Sequence, residues 1–349
     1  MPTLGKAEME RLLAIKAPPY QEVVEAANRW MVRKGVSAHG LAQQLGMGRS
    51  TMNLFLQGRY DTHAQIRRPE FLTARIWGHI TSNPVPLPKA PPERLLETKN
   101  AGAIRRAFKA GLFQRACCIL YGAPSTEKTF LIKCLLAERA CAGHDDALYI
   151  YASQEMRALE MLRALSAAAG TAVRSNQRYD LREALLENFR RRERLPLIIV
   201  DEAQHMLRPP FAALEELRQL RDQSRDEMAD DRHDAEGCGL LLMGSHDLYL
   251  QFERNALLLK QWLSRITRKE QLTGMSADEV MEIAARELGR RAAEAAREQL
   301  LKASREVDAY ATDEEGKRVA PREYYSVRNL SVAIDAAREK LRAKKEHAA

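Results

Sequence analysis

Residues 116–129 read ACCILYGAPSTEKT: six apolar or small residues, a turn containing Gly122, and a Lys-Thr pair that opens an apolar helical pattern. The run has the length and character of a buried strand, and the pair that follows resembles the end of a phosphate loop. That loop pattern is Gly, four residues, then Gly-Lys-Ser/Thr. Its backbone N–H groups and helix N-terminus cradle phosphate, its Lys adds charge and its hydroxyl holds Mg²⁺. Gly122, Lys128 and Thr129 fit the pattern, with Ala123, Pro124, Ser125 and Thr126 between them, whereas Glu127 stands where the second glycine belongs. A carboxylate there is expected to crowd and repel phosphate. On these residues alone an ordinary strand-turn-helix corner explains the stretch equally well.

Two further stretches bear on the choice. Residues 195–205, LPLIIVDEAQH, form an apolar strand that ends in two adjacent acids about 70 residues after the Lys-Thr pair. In a phosphate-loop ATPase the first, Asp201, holds Mg²⁺ through water and the second, Glu202, polarises the attacking water. A helix N-cap is the plainer use of such a pair. Residues 240–246, LLLMGSH, are a third apolar strand ending in polar groups, where Ser245 or His246 is placed to sense a γ-phosphate.

The periodicity between these points predicts alternation. Strands are expected at 116–121, 147–152, 196–200 and 239–243, with helices at 128–141, 155–169, 180–193 and 211–225. This is an α/β pattern, a mainly parallel sheet covered on both faces, and such sheets bind ligands beyond the carboxyl ends of their strands. A helix over 93–113 packs on that sheet through Ile104, Phe108 and Leu112.

The N-terminal part differs in kind. Val23, Val24, Ala27, Trp30 and Met31 recur at helical spacing up to Gly35, and residues 37–58 read as two short helices joined at Gly46, a helix-turn-helix signature. Ala42 is small where the helices cross, and Leu41, Leu45, Met47, Met52 and Phe55 form the shared core. Arg49, Ser50, Thr51 and Asn53 open the second helix, where such a unit presents side chains to base edges in the major groove of double-stranded DNA. Residues 1–78 hold eleven Lys and Arg against six Asp and Glu, a balance of +5 out of +8 for the whole chain. A three-helix bundle used for protein contacts has the same apolar pattern.

The 349 residues exceed one small core, and a pI near 9.2 permits a polyanionic partner. No apolar run is long enough to span a membrane and the polar N-terminus lacks a signal-peptide profile, so a soluble cytoplasmic protein is expected. The five cysteines, 117, 118, 134, 141 and 238, show no metal-type spacing and are read as reduced core thiols. Residues 1–19 read as a polar arm, and residues 83–92 hold five prolines and form an extended linker. Residues 226–236 are an acidic loop. The tail from 276 is read as helical, with a polar interruption at 312–322 and a last helix over 326–343 that carries Arg328 at its start.

With these residues the layout resembles the MuB-like AAA+ ATPases of DNA transposition and, more loosely, the TniB- and TnsC-type transposon regulators. The resemblance runs from the helix-turn-helix through Glu97-Thr98 to Met243-Gly244 and the segment 264–266. It implies a P-loop AAA+ sheet with an all-α helix-turn-helix domain before it and a helical lid after it: residues 1–82, a linker at 83–93, 94–273 and 274–349. It also implies ATP and Mg²⁺ as cofactors, homo-oligomeric filaments or rings on DNA with little sequence preference, and delivery or activation of a DDE transposase. Carried over by position, Lys128 and Thr129 bind phosphate and Mg²⁺, Asp201 and Glu202 are the Walker B acids, and Ser245 is the first sensor. Arg265 is the finger offered to a neighbouring subunit, with Arg268 as its alternative, and Arg328 is the second sensor. The departures from the family pattern are Ser125 and Glu127 in place of glycines, and Ser245 where the family has Asn.

Overall fold

Side chains alternate across each core strand, and here both sides of the alternation are apolar. Cys117, Ile119 and Tyr121 face one cluster, Cys118 and Leu120 the other, and all five are buried. A strand buried on both faces belongs to a parallel sheet with helices above and below. The computed structural model describes residues 16–34, 36–60, 69–83, 98–124, 126–171, 175–192, 194–225, 237–308 and 320–348. Most of the polar arm, most of the proline-rich linker, the acidic segment 226–236, most of the polar stretch 312–322, and Gly35 and Ser125 lie outside the described residues.

Four helices come first: α1 (Tyr20–Lys34), α2 (Ala38–Gln44), α3 (Arg49–Leu56) and α4 (Pro69–Ser82). They share a core of Val23, Val24, Ala27, Leu41, Met52, Phe55 and Ile76, with Met47 half-buried beside it. Ser37 caps α2 by accepting from Gly40 N at 3.0 Å, and Gly46 takes the left-handed turn between α2 and α3 at φ +58°.

Next come α5 (Lys99–Phe113), β1 (Cys117–Gly122), α6 (Lys128–Cys141), β2 (Ala147–Tyr151), α7 (Ala158–Ala169), α8 (Arg178–Arg190) and β3 (Leu197–Asp201). They are followed by α9 (Ala212–Gln223), β4 (Gly239–Gly244), α10 (His246–Arg254), α11 (Lys260–Leu263) and β5 (Ile266–Leu272). The five strands form one parallel sheet in the order β2-β3-β4-β1-β5. The tail contains α12 (Ala277–Leu288), α13 (Arg290–Ala295), α14 (Arg297–Ser304), β6 (Arg305–Asp308), β7 (Arg322–Tyr325) and α15 (Val327–Ala348).

Several expectations need correction. Residues 266–272, read only as an arginine-bearing segment, are the fifth strand. Their sequence, ITRKEQL, is polar because the strand lies at the edge of the sheet, where Thr267, Arg268 and Lys269 are exposed. Helix α7 starts three residues later than expected, because Glu155 is left-handed at φ +59°. The tail is not uniformly helical. Gly289 at φ +84° breaks its first helix, and β6 and β7 pair antiparallel, Glu306 opposite Tyr324. Cys141 is exposed, whereas the other four cysteines are buried, and burial pushes Cys118 and Cys238 up to about 11.

The helical unit rests on the sheet domain through α1 and α7. Glu25 pairs with Arg191 at 2.6 Å and Arg29 with Asp145 at 3.6 Å. The backbone of α1 comes so close that a Cβ on Gly170, the left-handed cap of α7, would sit 3.0 Å from Glu25 O.

Candidate nucleotide site

Strand order places the site. β4 lies between β1 and β3, so the loop after β1, the acids after β3 and the polar end of β4 meet at the same carboxyl edge of the sheet. Lys128 and Thr129 open α6, whose first turn carries no acidic residue and whose N-cap makes no side-chain hydrogen bond. The amides of this 14-residue helix therefore point uncapped toward the loop, which is the arrangement an anion needs.

The loop is closed by Lys128. Its Nζ donates to Gly122 O at 3.1 Å, Ala123 O at 2.9 Å and Thr126 Oγ1 at 3.0 Å, which uses all three of an ammonium's donors. Burial lowers its pKa to about 8 despite the attraction of Glu202, Asp201 and Asp308. Gly122 is needed for packing as well as for the loop, because a Cβ there would lie 2.3 Å from Leu272 O of β5. Glu127 occupies the left-handed conformation, φ +60°, that explains the glycine of the pattern, and burial raises its carboxyl to about 7. A side chain in that conformation costs about 1–2 kcal/mol, which the surrounding core outweighs. Burial thus favours the neutral carboxyl, which repels phosphate less than a carboxylate does.

Asp201 is fully buried and receives three hydrogen bonds. Thr129 Oγ1 donates to Oδ2 at 2.6 Å, Tyr149 Oη donates to the same oxygen at 2.8 Å, and the Glu202 amide donates to Oδ1 at 3.0 Å. Hydroxyl and carboxylate oxygens in contact are the hard donors that Mg²⁺ takes, so the residues present fit that ion. Glu202 is left-handed, φ 54°, and its Oε2 accepts from Gln204 Nε2 at 2.6 Å. Gln204 Oε1 in turn accepts from Ser245 N at 3.4 Å and lies where a Cβ on Gly244 would be, 2.2 Å away. Ser245 caps α10, its Oγ accepting from Asp247 N at 3.3 Å. His246 pairs through Nε2 with Asp308 of the β6–β7 hairpin at 2.6 Å, and its ring lies 6.1 Å from that of Tyr121.

Lys128, Thr129, Asp201, Glu202 and Ser245 therefore converge, together with Gly122, Ala123, Pro124, Thr126 and Glu127. Arg265 does not join them within one chain. It sits at the amino end of β5, opposite the loop, and holds Asp222 through Nε at 3.0 Å and a terminal nitrogen at 2.9 Å. Arg268 is exposed on β5, with Glu270 at 3.8 Å. Arg328 is exposed in the first turn of α15.

Three partners were not foreseen: Tyr149, Gln204 and the hairpin, whose Tyr324 lies 3.0 Å from Pro124 O and also bonds Glu306. Gln204 has a signal in the sequence, being an amide two residues from the acid pair. Tyr149 has only its polar tip in an apolar strand, and the hairpin has none.

The candidate DNA contacts behave differently. Arg49 and Ser50 are exposed, and Thr51 and Asn53 are half-buried. Arg49 and Asn53 line a cleft of about 1030 Å³ against the sheet domain, facing Arg163, which donates to Asn176 at 2.5 Å.

A phosphate loop, an acid pair one strand removed and a five-stranded parallel sheet between helices define the P-loop AAA+ fold class. Residues 110–252, somewhat less than half of the chain, match the family described as AAA domain. No curated protein matches the chain. Among solved structures it is similar to the ORC2 protein of Aeropyrum pernix in its ADPNP–ADP complexes, at 20% identity and TM-score 0.44 over 70% of this chain and 69% of that one. It is also similar to a Walker-type ATPase of Pyrococcus abyssi, at 15% and 0.41 over 62% and 65%. A third is the Aeropyrum pernix ORC1 protein in complex with DNA, at 16% and 0.40 over 73% and 68%. These likenesses are too distant to carry function across. Among the described residues no helix is long and apolar enough to cross a membrane.

Proposed function

We propose that this chain is an ATP-dependent, largely sequence-nonspecific DNA-binding AAA+ protein that assembles on duplex DNA and recruits or activates a DDE transposase. The observation that carries the nucleotide part is the contact of Thr129 with Asp201 beside the uncapped amides of α6. Phosphate displaces the loop carbonyls from Lys128, whose charge the anion then stabilises. Thr129 and Asp201 would hold Mg²⁺, which would supply charge neutralisation at the phosphates when bound. Glu202, oriented by Gln204, accepts the proton of the attacking water, and Ser245 is in reach to report the γ-phosphate through Gln204. Arg265 supplies charge only to the site of a neighbouring copy, after leaving Asp222, and Arg328 reaches phosphate if the lid closes.

The DNA part rests on the four N-terminal helices, on Arg49, Ser50, Thr51 and Asn53, and on the basic excess there. We divide the chain accordingly at 1–82, 83–93, 94–273 and 274–349. The transposase and the cytoplasmic location rest on the sequence resemblance and composition alone. A second reading is favoured by Glu127: a non-enzymatic DNA-binding regulator whose nucleotide site is degenerate.

Electron microscopy of the protein on duplex DNA, with and without ATP, separates the two. Filaments or rings that need ATP, with cooperative and salt-sensitive binding, are the expected result. DNA binding indifferent to nucleotide sinks the first reading and leaves the second.

A further inference from the structure

The Asp201 carboxylate is served by a strand that the phosphate-site chemistry does not otherwise use. β2 runs beside β3 with Tyr149 opposite Ile199 and Tyr151 opposite Asp201. Period-two alternation puts Tyr149, Ile199 and Asp201 on one face of the sheet, under α6. From there the Tyr149 phenol reaches diagonally to Asp201 Oδ2 at 2.8 Å, the oxygen that also accepts from Thr129 at 2.6 Å. Lys133, one turn beyond Thr129 on α6, sets its ammonium 6.0 Å from the centre of the Tyr149 ring and helps fix the ring between helix and sheet.

We propose that Tyr149 is a positioning residue for the Mg²⁺ site, holding the Asp201 carboxylate in its metal-accepting orientation. The inference rests on the nucleotide-site reading above. A hydroxyl has one O–H and two lone pairs, so Thr129 can offer a lone pair to the cation and still donate to Oδ2, and the Tyr149 phenol is the second side-chain donor that fixes that oxygen from the side of the sheet. Loss of the phenol oxygen then weakens the metal-loaded state and leaves nucleotide binding without metal almost untouched.

The test is Tyr149→Phe in the full chain, read by fluorescence titration with a ribose-labelled ATP analogue, first in EDTA and then across a Mg²⁺ series. The expected result is an affinity in EDTA within about twofold of the unsubstituted protein, with the Mg²⁺ concentration for half-saturation raised about tenfold. The EDTA arm doubles as the control for folding, since a misfolded variant loses binding there too. A Mg²⁺ requirement that does not move, or equal weakening with and without metal, overturns the assignment. If the unsubstituted protein binds no ATP analogue under any condition, the nucleotide-site reading itself falls, and Tyr149 with it. Lys133→Met, which removes the cation above the ring, is expected to shift the Mg²⁺ series in the same direction by about twofold.

Discussion

The Thr129 hydroxyl donates to Asp201 Oδ2 across 2.6 Å, joining the first turn of α6 to the end of β3 over the intervening strand β4. The contact ties the two proposed metal ligands together and makes their roles separable from that of Lys128. Asp201→Asn keeps the shape and an oxygen acceptor but removes the charge. It is expected to lower nucleotide affinity in Mg²⁺ about a hundredfold and by no more than about twofold in EDTA. Calorimetric titration with ADP in the two buffers checks this, and equal losses in both would place Asp201 outside the metal site.

Glu127→Gly removes both a half-buried carboxylate and a side chain from a left-handed position. Relief of about 1 kcal/mol of backbone strain is offset by the 0.4–1 kcal/mol or so that glycine's freedom adds to the unfolded chain. Thermal stability therefore changes little. Nucleotide affinity, by contrast, is expected to rise about tenfold, the equivalent of one removed like-charge interaction near 1.4 kcal/mol. A large change in melting temperature with unchanged affinity would mean that the carboxylate does not face the phosphate.

What the sequence disclosed follows from physics that acts locally. The strand and helix of residues 116–141, the acids at 201 and 202 and the alternation of 147–244 were legible because buried parallel strands leave unbroken apolar runs. The strand at 266–272 was hidden because only Leu272 of its residues is buried, so it carries no apolar run. The hairpin of β6 and β7 depends on pairing across 13 intervening residues, a non-local contact with no periodic trace. Glu127 was legible as a departure, yet its left-handed backbone and raised pKa appear only once burial is known. Tyr149 reads in sequence as one more strand aromatic, and only the register with β3 aims it at Asp201.

Nucleotide affinity is expected to fall continuously as pH rises from 6 to 9. Glu127, raised to about 7, is neutral below that value and gains a repulsive charge above it. Lys128, lowered to about 8, is cationic below that value and loses its attraction above it. Both steps weaken phosphate binding in the same direction. Glu127→Gln should abolish the step near 7 and keep the one near 8, whereas a profile unaltered by that change would assign the lower step to another group.

Gln204 spans Glu202 and the end of β4. Gln204→Ala frees the Glu202 carboxylate to rotate and opens a space beside Gly244. The expected outcome is a fall in ATP turnover of about tenfold with nucleotide affinity unchanged, since the amide touches neither Lys128 nor Thr129. Phosphate release assays at saturating ATP, beside binding titrations, check the split. Affinity lost in parallel with turnover would show that Gln204 serves packing rather than the orientation of Glu202.

Gly170 controls how the helical unit sits on the sheet domain. It is left-handed at φ +71°, and an added Cβ would lie 2.3 Å from Arg29 Cγ and 3.0 Å from Glu25 O. The Arg29 side chain can move aside, but the Glu25 carbonyl is part of α1 and cannot without shifting the helix. Gly170→Ala is therefore expected to cost about 1–3 kcal/mol, part from the left-handed backbone and part from the displaced helix. It should also loosen the ion pairs of Glu25 with Arg191 and Arg29 with Asp145, which bridge the same surfaces. Partly exposed pairs add little by themselves, so the close packing of α1 on α7 is the larger contribution. Faster proteolytic separation of the helical unit from the sheet domain, at a temperature where both stay folded, would show that this contact sets their docking. Lowered global stability with unaltered cleavage would assign the cost to the cap of α7 alone.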